Sequence, residues 1–151
     1  MRALIVYDTV SPNRNTEKVA ESIGDALRGK GIEVQCLYVK NVDPSVVRDY
    51  DCVLVGSPTH AWRATVSIAR FLDSLAPHDF SGKLAAAFDT RLKWRFAGSA
   101  ANGIEKRLSK LGFRIAAPSL AAYVEGKDPA LLDGELEKAK KFAEEIARTL
   151  L

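Results

Sequence analysis

Short hydrogen-bonding side chains are concentrated in one segment that directly follows an apolar run. Five of them fall within eight residues: Thr9, Ser11, Asn13, Asn15 and Thr16. The helix predicted to follow directs its free backbone N–H groups and the positive end of its dipole back at this segment. One such side chain is enough to cap a helix, so five indicate a phosphate-binding loop. The predicted loop also includes Val10 and Arg14, whose guanidinium would add a full positive charge.

The predicted loop contains no glycine, which argues against two common nucleotide-binding loops. A Walker loop needs GxxxxGK followed by Ser or Thr, and a dinucleotide-binding loop needs GxGxxG. We therefore expect neither a nucleoside triphosphate nor NAD at this position.

Alternating strand and helix patterns predict the elements that position this loop. Continuous apolar runs at 3–7, 52–55 and 84–88 are typical of strands buried on both faces of a parallel sheet. Further strands are predicted at 32–38 and at 113–124, the last with an interruption near Pro118. Helices are predicted after each strand, including a short one that begins at Asp43 and Pro44. Five strands and five helices predict an α/β fold, a doubly wound parallel sheet that forms a single domain over residues 1–151.

Ligands of such sheets bind at the carboxyl ends of the strands, where the strand order reverses. In the expected order 2-1-3-4-5, the loops at 8–16, 56–63 and 88–98 meet at this edge. The second and third loops are rich in polar and aromatic side chains. Their candidate ligand-binding residues are Ser57, Pro58, Thr59, His60, Trp62, Asp89, Thr90, Arg91 and Trp94.

Three segments resemble motifs of one known family. The segment YDTVSPNRNTEKVA, residues 7–20, resembles the FMN phosphate loop of flavodoxins, with two extra residues and with Arg14 where the family usually has glycine. GSPTH at 56–60 resembles the loop that flanks the flavin after strand three. Residues 88–105 resemble the next loop, as found in the flavodoxin domains of flavo-diiron proteins. Because the three motifs occur in order along nearly the whole chain, it is identified as flavodoxin-like, which implies a three-layer sandwich with helices on both faces of a five-stranded parallel sheet.

The resemblance implies an FMN cofactor and an electron-transfer function. Thr9, Ser11, Asn13, Asn15 and Thr16 would hold the FMN phosphate, while residues 57–62 and 89–95 would enclose the isoalloxazine ring. Trp62 and Trp94 are the candidates for stacking on that ring. We assign no catalytic acid or base and no metal ligand, because the flavin itself transfers the electrons.

The basic residues around the predicted ring site distinguish this sequence from the generally acidic flavodoxins. Arg63, Arg91, Lys93 and Arg95 would stabilise a reduced, anionic flavin. We therefore expect a hydroquinone couple that is less negative than is usual in the family. A redox partner protein is expected, and the sequence leaves open whether the basic residues at 91–95 serve an acidic partner protein, a second substrate or only solvation.

Two other functions are considered beside the electron carrier. The first is a small FMN-dependent NAD(P)H or quinone reductase, in which residues 91–95 receive an anionic substrate. The second is a flavodoxin-fold binding module that has lost FMN. A phosphoacceptor receiver domain fits poorly, because it needs an acidic pair after strand one and an aspartate after strand three, whereas this chain has Asp8 alone and then Gly56 and Ser57.

Composition excludes several other classes. The net charge of +3, from 22 Lys and Arg against 19 Asp and Glu, lacks the strongly basic character of nucleic-acid-binding proteins. No apolar stretch approaches the roughly 20 residues needed to span a bilayer, and the first residues do not match a signal peptide, so we expect a cytoplasmic protein. Cys36 and Cys52 lie in apolar runs, which predicts that they pack within strands. Nothing in the sequence indicates an oligomeric state.

Overall fold

The computed structural model describes residues 1–151, which form a sheet between two helical layers. The strands are β1 (Arg2–Tyr7), β2 (Glu33–Tyr38), β3 (Cys52–Pro58), β4 (Leu84–Leu92), β5 (Arg114–Ile115), β6 (Leu120–Glu125) and β7 (Ala130–Leu131). The helices are α1 (Asn15–Arg28), α2 (Val66–Leu75), α3 (Ala100–Lys110) and α4 (Glu135–Leu150). None of the helices combines the length and the apolar character needed to cross a membrane.

The sheet confirms the predicted α/β class and strand order. Its order is β2-β1-β3-β4-β6-β7, and all pairs are parallel except β6 with β7. The predicted fifth strand is divided into β5 and β6, which both pair with β4. Pro118 lies in the interruption, where its missing N–H removes no ladder hydrogen bond. The two-residue β7 was not predicted, so the sheet has seven strand segments rather than five.

Two further predictions about elements need correction. The helix expected after Asp43 is a 3₁₀ segment, Pro44–Asp49, capped by a hydrogen bond that Ser45 N donates to Asp43 Oδ1 over 2.9 Å. A second 3₁₀ segment, Val39–Asn41, precedes it, so the chain has four α-helices rather than five. Strand β4 extends to Leu92, which places Asp89 and Thr90 in the strand and not in the loop at 88–98.

Strand residues alternate between two hydrophobic layers, one on each face of the sheet. A cluster of 22 buried residues, including Ile5 and Leu54, packs against α1 and α4. A cluster of 18 buried residues, including Leu4 and Val53, packs against α2 and α3. Close packing of side chains on both faces of the central strands fixes their register. It therefore also fixes the positions of the loops at their carboxyl ends.

Both cysteines lie in strands and are free thiols. Cys52 is fully buried in β3 and Cys36 is half-buried in β2. Burial raises the pKa of each thiol to about 12. Neither side chain is therefore a thiolate near neutral pH, in agreement with a packing role.

Gly56 provides a test of the packing between β3 and β4. A Cβ atom at this position would lie 2.1 Å from the fully buried ring of Phe88. We predict that Gly56→Ala lowers the free energy of unfolding by about 1–3 kcal/mol, the usual effect of overpacking a core. Urea denaturation followed by circular dichroism measures this change.

Gly103→Ala is the matched control, because a Cβ atom on this exposed α3 glycine meets no atom within 4 Å. Replacing a helical glycine by alanine at such a site should stabilise the fold by roughly 0.5–1 kcal/mol. Unchanged stability of Gly56→Ala would show that Phe88 moves aside without cost and would contradict the prediction.

Candidate functional site

A cleft of about 180 Å³ lies at the carboxyl ends of the central strands. It is lined by residues of the three predicted loops and of β6 and its following turn: Val10, Ser11, Asn15, Thr16, Pro58, Thr59, His60, Thr90, Arg91, Leu92, Val124 and Pro129. All of these except Leu92, Val124 and Pro129 were predicted as site residues. The sheet therefore brings the three loops together where the topology required.

Helix α1 begins beside this cleft without a side-chain cap. Its N-cap residue, Arg14, makes no capping hydrogen bond, whereas Thr65 and Ser99 cap α2 and α3 with their hydroxyl groups. The first N–H groups of α1 therefore have no partner within the helix. Asn15 and Thr16 of this first turn line the cleft. An anion at this position would accept from the N–H groups and meet the positive end of the helix dipole.

Two buried polar atoms of the first loop lack a hydrogen-bond partner. They are Thr9 Oγ1 and Asn15 Oδ1. Buried polar atoms are nearly always hydrogen-bonded in native proteins, because leaving one without a partner costs its desolvation energy. The hydroxyl can donate to an anionic oxygen and the amide oxygen can accept from an alcohol. A ligand that carries both a phosphate and hydroxyl groups would satisfy the two atoms.

The amide groups of Asn13 and Asn15 hold a fourth loop against the first. Asn13 Nδ2 donates to the carbonyl oxygens of Asp128 and Pro129 over 3.1 and 2.8 Å, and Asn15 Nδ2 donates to Pro129 O over 2.7 Å. These bonds close the cleft with the turn between β6 and β7. No local sequence pattern indicates this contact, because its partners are more than 110 residues apart.

Arg14 adopts a left-handed backbone conformation, with φ of 52°. Its guanidinium donates to Glu17 Oε1 over 2.6 Å, and the hydroxyl of Tyr7 donates to the same oxygen over 2.6 Å. Burial, and then the bond to Glu17, raise the pKa of Tyr7 above its ordinary value. The guanidinium of Arg14 is thus paired with a carboxylate and does not line the cleft. The backbone conformation here is one that glycine adopts without strain.

The second loop is a tight turn held by two backbone hydrogen bonds. His60 N donates to Arg63 O over 2.8 Å and Arg63 N donates to His60 O over 2.9 Å. The two central residues, Ala61 and Trp62, have φ values of 47° and 69°. This two-residue turn belongs to the type in which glycine and asparagine are preferred. The sequence lacks glycine here, so the left-handed conformation was not foreseen.

The two tryptophans predicted to stack on a flavin lie at the rim, outside the cleft. The indole Nε1 of Trp62 donates to Phe96 O over 2.7 Å, and the ring of Trp94 contacts Phe96 edge-on with centroids 5.6 Å apart. A Cβ atom on Gly98 would lie 2.4 Å from Trp62, so only glycine permits this contact between the second and third loops. His60 and Leu92, rather than the tryptophans, line the cleft.

A buried carboxylate at the end of β1 attaches helix α2 to the sheet. Thr65 Oγ1 donates to Asp8 Oδ2 over 2.6 Å, and Thr9 N donates to Asp8 Oδ1 over 2.8 Å. The fully buried Ser57 assists, because its hydroxyl accepts from Thr65 N over 3.0 Å. Ser57 was predicted to bind the ligand, but the structure places it behind the cleft.

A second buried carboxylate attaches helix α3. Asp89 Oδ2 accepts from Ala101 N and from Ser99 Oγ over 3.0 and 3.1 Å, and Asp89 Oδ1 lies 3.5 Å from Arg91 Nε. Burial raises the pKa of Asp89, although Ala101, Arg91 and Ser99 each act in the opposite direction. Asp89 is completely buried and does not line the cleft. Thr90, next in the strand, does line it and shares a hydrogen bond of 2.8 Å with Thr16.

The largest depression on the molecule lies elsewhere and does not resemble a ligand site. It measures about 690 Å³ and lies between α1 and α4, where nine of its eleven lining residues are polar, charged or glycine. No strand end reaches it. The smaller cleft at the sheet edge is therefore the candidate site.

An open, mostly parallel sheet with helices on both faces and a cleft at the carboxyl ends of its strands defines the class, a doubly wound α/β protein. The family model for flavodoxin matches residues 5–142. The chain belongs to the flavodoxin family, which confirms the resemblance found in the sequence. The cofactor of this family is FMN, as was also predicted.

Individual relatives agree with this assignment. A flavodoxin from Maridesulfovibrio salexigens is 32% identical over 127 residues, which cover 79% of this chain and 84% of the relative. The chain spans about half the length of other curated relatives that it matches, between 51% and 56% for three of them.

Solved structures show the same fold. Oxidised flavodoxin 1 from Bacillus cereus superposes with a TM-score of 0.85 at 20% identity, covering 98% of both chains. Rubredoxin oxygen:oxidoreductase from Desulfovibrio gigas gives a TM-score of 0.81 at 25% identity, covering 99% of this chain and 36% of that one. The Flv1 flavodiiron core from Synechocystis gives 0.80 at 16% identity, with 99% and 36% covered.

Thr9 provides a test of the ligand site that separates binding from folding. Thr9→Val keeps the side-chain volume but removes the hydroxyl that has no partner within the protein. We predict that this substitution leaves the stability of the FMN-free protein unchanged or slightly higher. FMN affinity should fall roughly tenfold or more, because a hydrogen bond to a charged group contributes about 1.5–3 kcal/mol. Denaturation of the FMN-free protein and fluorescence titration with FMN measure the two effects.

Thr149→Val is the matched control, since Thr149 lies near the carboxyl end of α4 and its hydroxyl bonds to Ala116 O over 3.1 Å. It should leave FMN affinity unchanged. If Thr9→Val and the wild type bind FMN with equal affinity, the Thr9 hydroxyl does not contact FMN and the prediction is wrong.

Proposed function

We propose that this protein is an FMN-binding electron carrier, and thus an oxidoreductase that works with a separate redox partner. The observation that carries the proposal is the first loop, where an uncapped α1 adjoins two buried polar atoms that lack partners. FMN combines in one molecule the phosphate and the alcohol groups that these atoms need. When bound, FMN supplies the reversible uptake and release of electrons.

The residues present fit the phosphate and ribityl parts of FMN. Thr9, Ser11 and the first N–H groups of α1 would hold the phosphate, and Asn15 Oδ1 would accept from a ribityl hydroxyl. The cleft of about 180 Å³ is smaller than the 300 Å³ at which ligand pockets usually begin. The flat ring would therefore lie at the open rim, near His60, Arg91 and Leu92, with Trp62 and Trp94 as its aromatic neighbours.

Retention of FMN is the direct test of the proposal. We expect the purified protein, mixed with excess FMN and then freed of unbound flavin, to keep FMN with quenched fluorescence and a perturbed visible spectrum. Riboflavin, which lacks the phosphate, is the matched control ligand and should bind much more weakly. Loss of FMN on gel filtration would contradict the electron-carrier proposal and favour a module of this fold that binds another anion.

The charge around the cleft bears on the redox potential. Arg91 is the one charged side chain that lines the cleft, and no carboxylate lines it. The carboxylate that pairs with Arg91, Asp89, is completely buried and offsets part of its charge. A cation beside the ring stabilises the reduced, anionic flavin more than the oxidised form. The potential at which the second electron enters should therefore be less negative than is usual in the family.

Arg91→Gln tests this charge effect. A preferential stabilisation of about 1.4 kcal/mol corresponds to about 59 mV in a one-electron potential, so we predict that the substitution lowers the potential of the second electron by tens of mV. Lys110→Gln, at the far end of α3, should leave the potential unchanged. A redox titration of the FMN-loaded proteins measures both, with circular dichroism to verify that each variant is folded. A higher potential for Arg91→Gln would contradict the assignment.

A basic depression beside the cleft gives some support to a second candidate, a small FMN-dependent NAD(P)H or quinone reductase. It measures about 550 Å³ and shares Arg91 with the cleft. A reductase should oxidise NAD(P)H in the presence of a quinone without any other protein. An electron carrier should show no such turnover until a partner reductase is added.

A further inference from the structure

The second and third loops together form one exposed patch of aromatic and basic residues. We call it the aromatic–basic surface and define it by Trp62, Arg63, Lys93, Trp94, Arg95 and Phe96. Its three aromatic side chains are 55–65% exposed. They are in contact through the bond from Trp62 Nε1 to Phe96 O and the edge contact between Trp94 and Phe96. Contiguous exposed aromatic groups of this kind mark interaction surfaces rather than ordinary solvent-exposed surface.

The positive charge of the whole chain is concentrated at this surface. Residues 57–66 and 89–102 contain four basic side chains and one acidic side chain, Asp89, whereas the rest of the chain contains 18 of each. Asp89 is completely buried, so it presents no negative charge to a partner. Arg63, Lys93 and Arg95 form no ion pair within the protein. The net charge of +3 therefore comes from these two segments.

The aromatic–basic surface is held in place before any partner arrives. The turn at 60–63 has two backbone hydrogen bonds, and Arg91 Nη1 donates to Gly98 O over 2.8 Å. Gly98 in turn packs against Trp62. A surface that is already ordered loses little conformational entropy on binding, which favours association.

The donor groups of this region suit a protein partner better than a small phosphate. The first N–H groups of α3 are already bonded: Ala100 N to Thr59 Oγ1, Ala101 N to Asp89 Oδ2 and Asn102 N to Ser99 Oγ, over 3.0–3.1 Å. No backbone cradle remains for an anion. The free cations are instead long exposed side chains spread over two loops, between aromatic groups, as at protein–protein interfaces.

We propose that the aromatic–basic surface is the docking surface for a redox protein with an acidic face. This inference rests on the proposed electron-carrier function. Arg91 lines both the cleft and the neighbouring basic depression, so a protein seated on this surface would lie next to the bound flavin. One electron would pass from the reduced flavin to an oxidised metal centre of the partner, which is reduced in the same step.

The test uses FMN-loaded protein and two haem proteins of opposite charge. Retained, quenched FMN is first verified in each sample, and the protein is reduced and mixed with oxidised cytochrome b5, which is acidic, or cytochrome c, which is basic. We expect Lys93→Glu with Arg95→Glu to slow electron transfer to cytochrome b5 roughly tenfold at low ionic strength, and the difference to vanish at high salt. The same pair should leave the rate to cytochrome c unchanged or faster.

Arg48→Glu with Lys110→Glu is the matched control, with the same change in net charge. Both side chains are exposed and unpaired, and they lie near the starts of β3 and β5 at the opposite edge of the sheet. A change in the flavin potential would change the rates of electron transfer to both cytochromes in the same direction. A variant that slows transfer to cytochrome b5 but not to cytochrome c therefore has an effect on docking. Equal changes in the rate of electron transfer to cytochrome b5 in the two double variants would overturn the proposal.

Binding of a partner to the FMN-free protein tests the docking surface separately from the retention of FMN. If FMN is not retained, binding of oxidised cytochrome b5 to the FMN-free protein is measured by NMR line broadening at low salt. Loss of that binding in Lys93→Glu with Arg95→Glu, but not in the control pair, supports the docking surface, and unchanged or absent binding overturns it. Saturable binding of inorganic phosphate that the same pair abolishes would assign the surface to a small anion and likewise overturn the proposal.

Discussion

The parallel pairing of β1, β3 and β4 is the constraint on which the site depends. Register places Tyr7 beside Gly56 and Gly56 beside Phe88, so the three strands end at one edge. Close packing on both faces opposes a slip of this register, because a shift of one residue would exchange the side chains of the two layers and lose the fit of Gly56 against the Phe88 ring. The packing of the hydrophobic core, rather than contacts with a ligand, therefore determines the positions of the loops that form the cleft.

Two buried carboxylates attach helices α2 and α3 to the sheet. Asp8, which follows β1, and Asp89, which lies within β4, accept hydrogen bonds from residues at the starts of α2 and α3. Burying a carboxylate is costly unless its oxygens have donors or a paired charge. Asp8 accepts from Thr65 Oγ1 and Thr9 N, whereas Asp89 accepts from Ala101 N and Ser99 Oγ and forms an ion pair with Arg91. The bond to Asp89 also satisfies Ala101 N, a backbone group in the first turn of α3 that would otherwise lack a partner. Helix α1 has no such carboxylate, which leaves its N-terminus available to a phosphate.

Backbone strain in this protein is confined to the loops around the site. The non-glycine residues with positive φ are Arg14, Ala61 and Trp62, and all three lie in the first and second loops. Each such conformation costs about 1–2 kcal/mol relative to ordinary backbone. It persists because surrounding bonds hold it, including the pair between His60 and Arg63 and the bond from Trp62 to Phe96. Strain of this kind is common at ligand sites, where a fixed shape has a functional use.

The sequence was sufficient for features that local patterns encode, and insufficient for features that depend on distant contacts. Continuous apolar runs located the central strands, the topology of doubly wound sheets supplied their order, and the polar residues at 9–16 located the first loop. The turn at 126–130 could not be predicted, because Asn13 and Asn15 reach it across more than 110 residues. The burial of Asp89 was also missed, since nothing in the local pattern shows that β4 continues to Leu92.

The charges at the carboxyl edge are unevenly distributed, which has a consequence for how a partner can be oriented. The second and third loops are basic, whereas the turn that Asn13 and Asn15 hold on the other side of the cleft, together with its flanks, carries three exposed acidic residues, Glu125, Asp128 and Asp133, against one exposed basic residue, Lys127. The edge therefore carries an electric dipole across the cleft. A partner with a single acidic patch beside its redox centre would be attracted by one side and repelled by the other. Such an arrangement favours one orientation, in which the partner's redox centre faces the cleft.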